Sequence, residues 1–238
     1  MNLKRYPIQK DTRVENGVMQ LKAVIFDLDG VLVDSSEFHY KAWQIWSAEQ
    51  GVTMSYEFFR ETFGMINEKI IPQLIPRPLS REEIQELSER KEALFRQVAR
   101  GKLEPLPGAV ELVRGLQHAG YRLAIGSSTP RKNIDVVLES IGLADAFPVR
   151  IAAEDVKHGK PDPEVFFKAA QAIGVPPRRC VVIEDAVAGV DAAKRAGMKA
   201  IAITITHPRE RLMHADIVVD SLTEVTVNMV EQLLGVEE

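Results

Sequence analysis

The stretch "AVIFDLDGVLVDSSEFHY" (Ala23–Tyr40) sets Asp27 and Asp29 one residue apart at the end of an apolar run, with Asp34 close behind. Carboxylates that near one another repel, so keeping both ionised is costly unless a cation or a proton intervenes. Continued as a strand, the run would turn both aspartates to one face, and Gly30 lets the chain depart tightly. Three other places carry comparable groups. "AIGSS" ends in Ser127 and Ser128, "VVIED" ends in Glu184 and Asp185, and "KHGKPDPE" supplies Lys160, held in place by Pro161. Acids, a hydroxyl and an ammonium suit a hard cation together with a phosphoryl group. Mg²⁺ takes oxygen ligands and keeps waters and a substrate phosphate oxygen. A lysine offsets phosphate charge, and a hydroxyl with neighbouring N–H groups holds phosphate oxygens.

These groups can meet only if the elements carrying them are parallel strands ending at one edge. "LKAVIF" within 21–33 is short, β-branched and apolar on both faces, the pattern of a buried parallel strand. From Gly108 onward, helix and strand patterns alternate. "GAVELVRGLQHAG", "PRKNIDVVLESIG", "DPEVFFKAAQAIG", "AVAGVDAAKRAG" and "LTEVTVNMVEQLL" read as helices, and "YRLAIGSS", "VRIAA", "CVVIED", "KAIAIT" and "DIVVD" as strands. Such alternation implies right-handed crossovers and a sheet covered on both faces. In an open sheet of this kind ligands bind beyond the carboxyl ends of the strands.

Residues 34–105 break the alternation. "SSEFHYKAWQIWSAEQ", "SYEFFRETFG", "INEKIIPQLI" and "SREEIQELSERKEALFRQVAR" all carry helical spacing, and Ser80 with Glu83 fits a capping box. The expected organisation is an N-terminal extension at 1–20, a core from 21–33 and 106–238, and an all-helical insertion at 34–105. Hinges are expected near Val33–Asp34 and at "LEPLPG", where Pro105 and Pro107 stiffen the return.

Bulk properties narrow the classes. With 45% hydrophobic residues in 238, the chain can build a sizeable core, and a net charge of −4 argues against nucleic acid as partner. The single cysteine, Cys180, excludes an intramolecular disulfide, reads as a buried inert thiol, and suits a reducing, cytoplasmic setting. No apolar run reaches membrane-span length, so no membrane partner is expected. A monomer is the default.

The series "DLDGV", a serine ending the second strand, "KPDPE" and "ED", in this order, resembles the four motifs of the haloacid dehalogenase-like hydrolase superfamily. The insertion after the first motif resembles the cap of its β-phosphoglucomutase-like branch. The resemblance covers the chain from about Leu21 and implies a Rossmann-like three-layer α/β core with an all-α cap. It implies Asp27 as nucleophile, forming an aspartyl-phosphate, and Asp29 as general acid and then base. Ser127 and Lys160 would hold the transferring phosphoryl, and Mg²⁺ would sit among Asp27, the Asp29 carbonyl, Asp185 and Glu184. Ser128, His39, Gly64, Asn67 and Arg131 are candidate substrate contacts; for His39 a packing role on its helix is the competing reading.

The implied activity is hydrolysis of a small phosphate monoester, a sugar or polyol phosphate. The alternative is a phosphosugar mutase. Mutases of this branch use a cap arginine where this chain has Asn67, and a Lys–Asn pair where it reads "SSTPRKN". A phosphate-binding protein without chemistry is a third class, which the full set of motif residues disfavours.

Overall fold

The computed structural model describes residues 21–63 and 65–235; the expectation for the N-terminal extension lies outside them. Six strands form one parallel sheet: β1 (Ala23–Phe26), β2 (Arg122–Gly126), β3 (Val149–Ile151), β4 (Cys180–Glu184), β5 (Lys199–Ile203) and β6 (Ile217–Val219). Their order across the sheet is β3-β2-β1-β4-β5-β6, so β1 lies between β2 and β4. The register pairs Phe26 with Ile125 on one side and Ile183 on the other, which brings the ends of β1, β2 and β4 to one edge.

Strand alternation divides the core. Val24, Phe26, Leu123, Ile125, Val181 and Ile183 face one side. Ala23, Ile25, Ala124, Cys180, Val182 and Ala200 face the other. The second face is covered by α7 (Glu164–Ala172), α8 (Val187–Arg195) and the short α9 (Arg209–Leu212), through Phe166, Ala169, Val190, Ala193 and Leu212. Small side chains on both partners let these helices approach closely. The first face is covered by α5 (Ala109–His118), α6 (Arg131–Ser140) and α10 (Val227–Gly235).

The helical insertion consists of α1 (Ser36–Gln50), α2 (Tyr56–Thr62), α3 (Asn67–Leu74) and α4 (Arg81–Ala99). The Ser80–Glu83 capping box forms as expected. Trp46, Phe59, Ile71 and Phe95 join the same apolar cluster as the first face of the sheet, so insertion and sheet share one continuous core. The two linkers run side by side: Val33 bridges to Pro105, and the Leu106 N–H donates to the Leu32 carbonyl at 2.8 Å.

Two local expectations are corrected. β1 does not continue far enough to put Asp27 and Asp29 on a shared strand face. The Asp27 N–H still donates to the Ile183 carbonyl, but the chain then coils back and the Leu32 N–H donates to the Leu28 carbonyl at 2.9 Å. The segment "LTEVTVNMVEQLL" is not one helix. Ser221 and Glu224 close a 3-10 turn at Leu222–Glu224, the β-branched pair Val225–Thr226 follows, and α10 starts at Val227.

Candidate active site

Lys160 sits where the edge of the sheet meets the segment before α7. Its ammonium donates to Asp27 Oδ1 at 2.7 Å and to Glu184 Oε1 at 2.5 Å, with the Phe166 ring beneath it at 4.9 Å. Burial works against its charge, but the Asp27 and Glu184 carboxylates more than offset this and hold it protonated. Glu164, from the "KPDPE" run, accepts the N–H groups of Lys157 and His158 at 2.9 and 3.0 Å and so fixes the turn that delivers the lysine.

Glu184 accepts two further bonds, from the backbone N–H groups of Asp185 and Ala186, both at 2.9 Å. It is packed against Gly189: a Cβ there would lie 1.8 Å from Glu184 Oε1. Asp185 accepts from the Thr206 hydroxyl. Burial, then the neighbouring Glu184 and Asp27 carboxylates, push Asp185 up to about 8. Gly30 turns the chain at φ +77°, and a Cβ on it would fall 1.9 Å from Asp185 Oδ2.

Asp27, Glu184 and Asp185 each offer an oxygen within 4.8 Å of the others, a buried group that could hold a metal ion. The donor set is all oxygen and the Lys160 ammonium alone leaves its negative charge undercompensated, so the residues fit a hard divalent cation. Glu184 already accepts three hydrogen bonds, which leaves Asp27 and Asp185 the better placed donors.

Asp29, two residues after Asp27, is gripped by two hydroxyls. Ser35 donates to Oδ1, and Thr129 donates to Oδ2 at 2.6 Å. Burial raises its pKa, the two hydroxyls oppose that, and the charges of Asp27 and Glu92 add to it. Ser127, 2% exposed, follows β2 and accepts the Thr129 N–H at 3.2 Å. Ser128 beside it is exposed.

The helical insertion faces Asp29 with a polar circuit. His39 stacks on Phe95 at 3.9 Å between ring centroids and meets the Lys91 ammonium at 2.8 Å through Nδ1. Lys91 also donates to Glu92 Oε1 at 2.8 Å, which accepts from Asn67 Nδ2 at 2.7 Å as well. Glu92 Oε2 accepts from Asn133 Nδ2, on α6, at 2.5 Å. Burial and the Lys91 charge hold His39 down at about 3, hence neutral. Burial opposes the Glu92 charge, but Lys91 and the bonds around it win and hold Glu92 at about 2.

The structure thus brings Asp27, Asp29, Ser127, Lys160, Glu184 and Asp185 to one sheet edge, with His39 and Asn67 facing them in the insertion's polar circuit. Arg131 is drawn elsewhere: its guanidinium pairs with Asp155 and donates to the Arg150 carbonyl at 2.9 Å. Gly64 lies outside the described residues. Ser35, Thr129, Thr206, Lys91 and Glu92 escaped the sequence reading, whereas Asn133 closes the "SSTPRKN" run set against the mutases' Lys–Asn pair. Lys91 did leave a signal, being four residues from both Leu87 and Phe95 and so on the apolar stripe of α4.

The model of the haloacid dehalogenase-like hydrolases matches residues 21–197. The chain belongs to this family. It is 33% identical to the validoxylamine A 7'-phosphate phosphatase of Streptomyces hygroscopicus subsp. limoneus over 86% of this chain and 95% of that one. It is 30% identical to the β-phosphoglucomutase of Bacillus subtilis (strain 168) over 89% of this chain and 95% of that one. Of the chloroplastic 5-amino-6-(5-phospho-D-ribitylamino)uracil phosphatase of Arabidopsis thaliana, 32% identical, it covers 85% of itself but only 55% of that protein. The crystal structure of CbbY from Rhodobacter sphaeroides in complex with phosphate superposes with a TM-score of 0.80 at 27% identity, covering 89% of this chain and all of that one. Among the described residues, no helix of this family member is long and apolar enough to cross a membrane.

Proposed function

We propose that the protein is a Mg²⁺-dependent phosphatase that hydrolyses a small sugar or polyol phosphate through an aspartyl-phosphate. The observation that carries this reading is the placement of Lys160 between Asp27 and Glu184, in the acidic group that Asp185 completes. The Asp27 carboxylate attacks phosphorus, and the bond from phosphorus to the substrate oxygen breaks. Lys160, the Ser127 hydroxyl and nearby backbone N–H groups bind the phosphoryl oxygens. Asp29, whose environment favours the protonated form, gives its proton to the leaving oxygen. Water then attacks the aspartyl-phosphate, Asp29 takes the proton, and the bond from phosphorus to Asp27 breaks, releasing inorganic phosphate.

Asp27 and Asp185, with the Asp29 carbonyl and with Glu184 behind them, would hold Mg²⁺. When bound, the ion neutralises charge on the phosphoryl oxygens. Residues 34–105 act as a cap over a core of 21–33 and 106–238, and His39, Asn67, Gly64 and Ser128 contribute to substrate binding. A reducing, cytoplasmic setting fits the single buried thiol.

The similarity to a β-phosphoglucomutase along 95% of that protein favours phosphosugar mutation as the second reading. Phosphate release from a panel of sugar phosphates, with and without Mg²⁺, tests both. Mg²⁺-dependent release that is lost in Asp27→Asn supports the phosphatase. Conversion of β-glucose 1-phosphate to glucose 6-phosphate without net release, dependent on a bisphosphate primer, replaces it with the mutase.

A further inference from the structure

The wall that the helical insertion turns toward Asp29 is electrically balanced. Among the described residues its ammonium is Lys91, and that ammonium is matched by the Glu92 carboxylate at 2.8 Å. Both are buried, at 3% and 7% exposure, so neither is screened by solvent as a surface charge would be. His39 is held neutral beside Lys91, and Asn67 and Asn133 bring only amides. The next guanidinium along α4, Arg96, is turned to Asn133 Oδ1 at 3.0 Å and to Glu89 at 2.8 Å. Ser35 and Thr129 both bond to Asp29, and four residues beyond each of them come His39, bonded to Lys91, and Asn133, bonded to Glu92, so this wall adjoins the leaving-group side of the reaction.

We propose that Glu92, fixed by Lys91, Asn67 and Asn133, selects phosphomonoesters whose far end is uncharged and hydroxylated, and rejects sugar bisphosphates. This rests on the phosphoryl-transfer reading of the site and adds its substrate class. A hydroxyl both donates and accepts, so it can bond to a carboxylate, an amide or an imidazole on this wall. A second phosphate is acceptor-rich and carries close to two negative charges. It would meet a buried carboxylate and find the Lys91 ammonium already paired. Like-charge contact of this kind is a specificity device: it costs a wrong partner far more than it costs the right one.

The test compares fructose 1-phosphate with fructose 1,6-bisphosphate. For the wild type, kcat/KM should be lower on the bisphosphate by on the order of 10²-fold. Glu92→Gln keeps the shape, removes the charge and should narrow that gap about tenfold, chiefly through a lower KM for the bisphosphate. Asn67→Lys adds a cation beside Glu92 and should narrow it in the same direction. Calorimetric titration of both sugars into Asp27→Asn, which cannot turn over, reads the same preference as a ratio of Kd values. Failure of every monophosphate to be hydrolysed would remove the phosphatase reading while the titration still decides this one. Equal handling of the two sugars by the wild type, or an unchanged ratio in Glu92→Gln, would overturn the proposal.

Discussion

Asn133, fully buried on α6 beside the sheet, donates its side-chain amide to the Glu92 carboxylate on α4 of the helical insertion, at 2.5 Å. Asn133 Oδ1 in turn accepts from Arg96 of the same helix. One amide therefore ties insertion and sheet side together with two bonds, at a place where unpaired groups would be shut off from water. Asn133→Ala should cost about 1–3 kcal/mol in urea unfolding, because both α4 partners lose a buried bond. Hydrogen exchange should quicken along α4. Asn133→Asp should be worse than Ala, since it sets two carboxylates against each other; an Asp variant as stable as the wild type would refute the tie.

Gly189 lies in the first turn of α8, where alanine ordinarily stabilises a helix by about 1 kcal/mol over glycine. Here the sign should reverse. A Cβ would lie 1.8 Å from Glu184 Oε1, the atom that receives Lys160. Gly189→Ala should lower Tm and also activity, by displacing Glu184 and with it the lysine. Gly115→Ala on α5 is the control: its nearest obstacle is a Val227 methyl at 3.4 Å, an ordinary contact. If both variants gain stability, the close packing behind Glu184 is not as described.

Thr129 and Ser35 hold the Asp29 carboxyl from either side, one from the segment after β2 and one from the N-terminal edge of α1. In the proposed mechanism their task is orientation, because Asp29 would reach the leaving oxygen and then a water from the same position. Thr129→Val keeps the volume and removes the donor. It should lower kcat by about 10–10²-fold with little change in KM, the scale expected for a misplaced catalytic group. Asp29→Asn, which removes the proposed proton donor itself, should lose about 10²–10⁴-fold. A Thr129→Val enzyme with wild-type kcat would show that Ser35 suffices.

The strand-end residues were legible because a parallel sheet puts every strand's carboxyl end on one edge: once "AVIFD", "AIGSS" and "VVIED" read as buried strands, Asp27, Ser127 and Asp185 had to meet. What stayed hidden came from contacts between segments far apart in sequence. Thr206 is 21 residues from the Asp185 it supports, and Thr129 is 100 residues from Asp29. Glu92 sits in a helix so rich in charge that periodicity alone cannot separate a buried carboxylate from the solvated ones around it. The failed prediction at "LTEVTVNMVEQLL" has a local cause: apolar spacing there is helical, but the Ser221–Glu224 cap closes a tighter turn first.

His39 gives the circuit a dependence on pH whose sign can be stated. Burial, then the Lys91 ammonium, hold its folded-state pKa at about 3, with the Glu92 charge opposing them. The unfolded chain takes up that proton near pH 6.5. Between these values the unfolded state binds the extra proton, so stability falls as pH is lowered from about 6.5, by at most about 1.4 kcal/mol per pH unit for this one group. The ring is half-buried, and solvent screening reduces the slope below that ceiling. His39→Gln removes the group and should flatten the fall. Urea unfolding of both proteins at pH 6.5, 5.5 and 4.5 measures the difference: the gap between their stabilities should move in favour of the variant at each acid step, and parallel curves would show that His39 takes up its proton in the folded state as readily as in the unfolded chain.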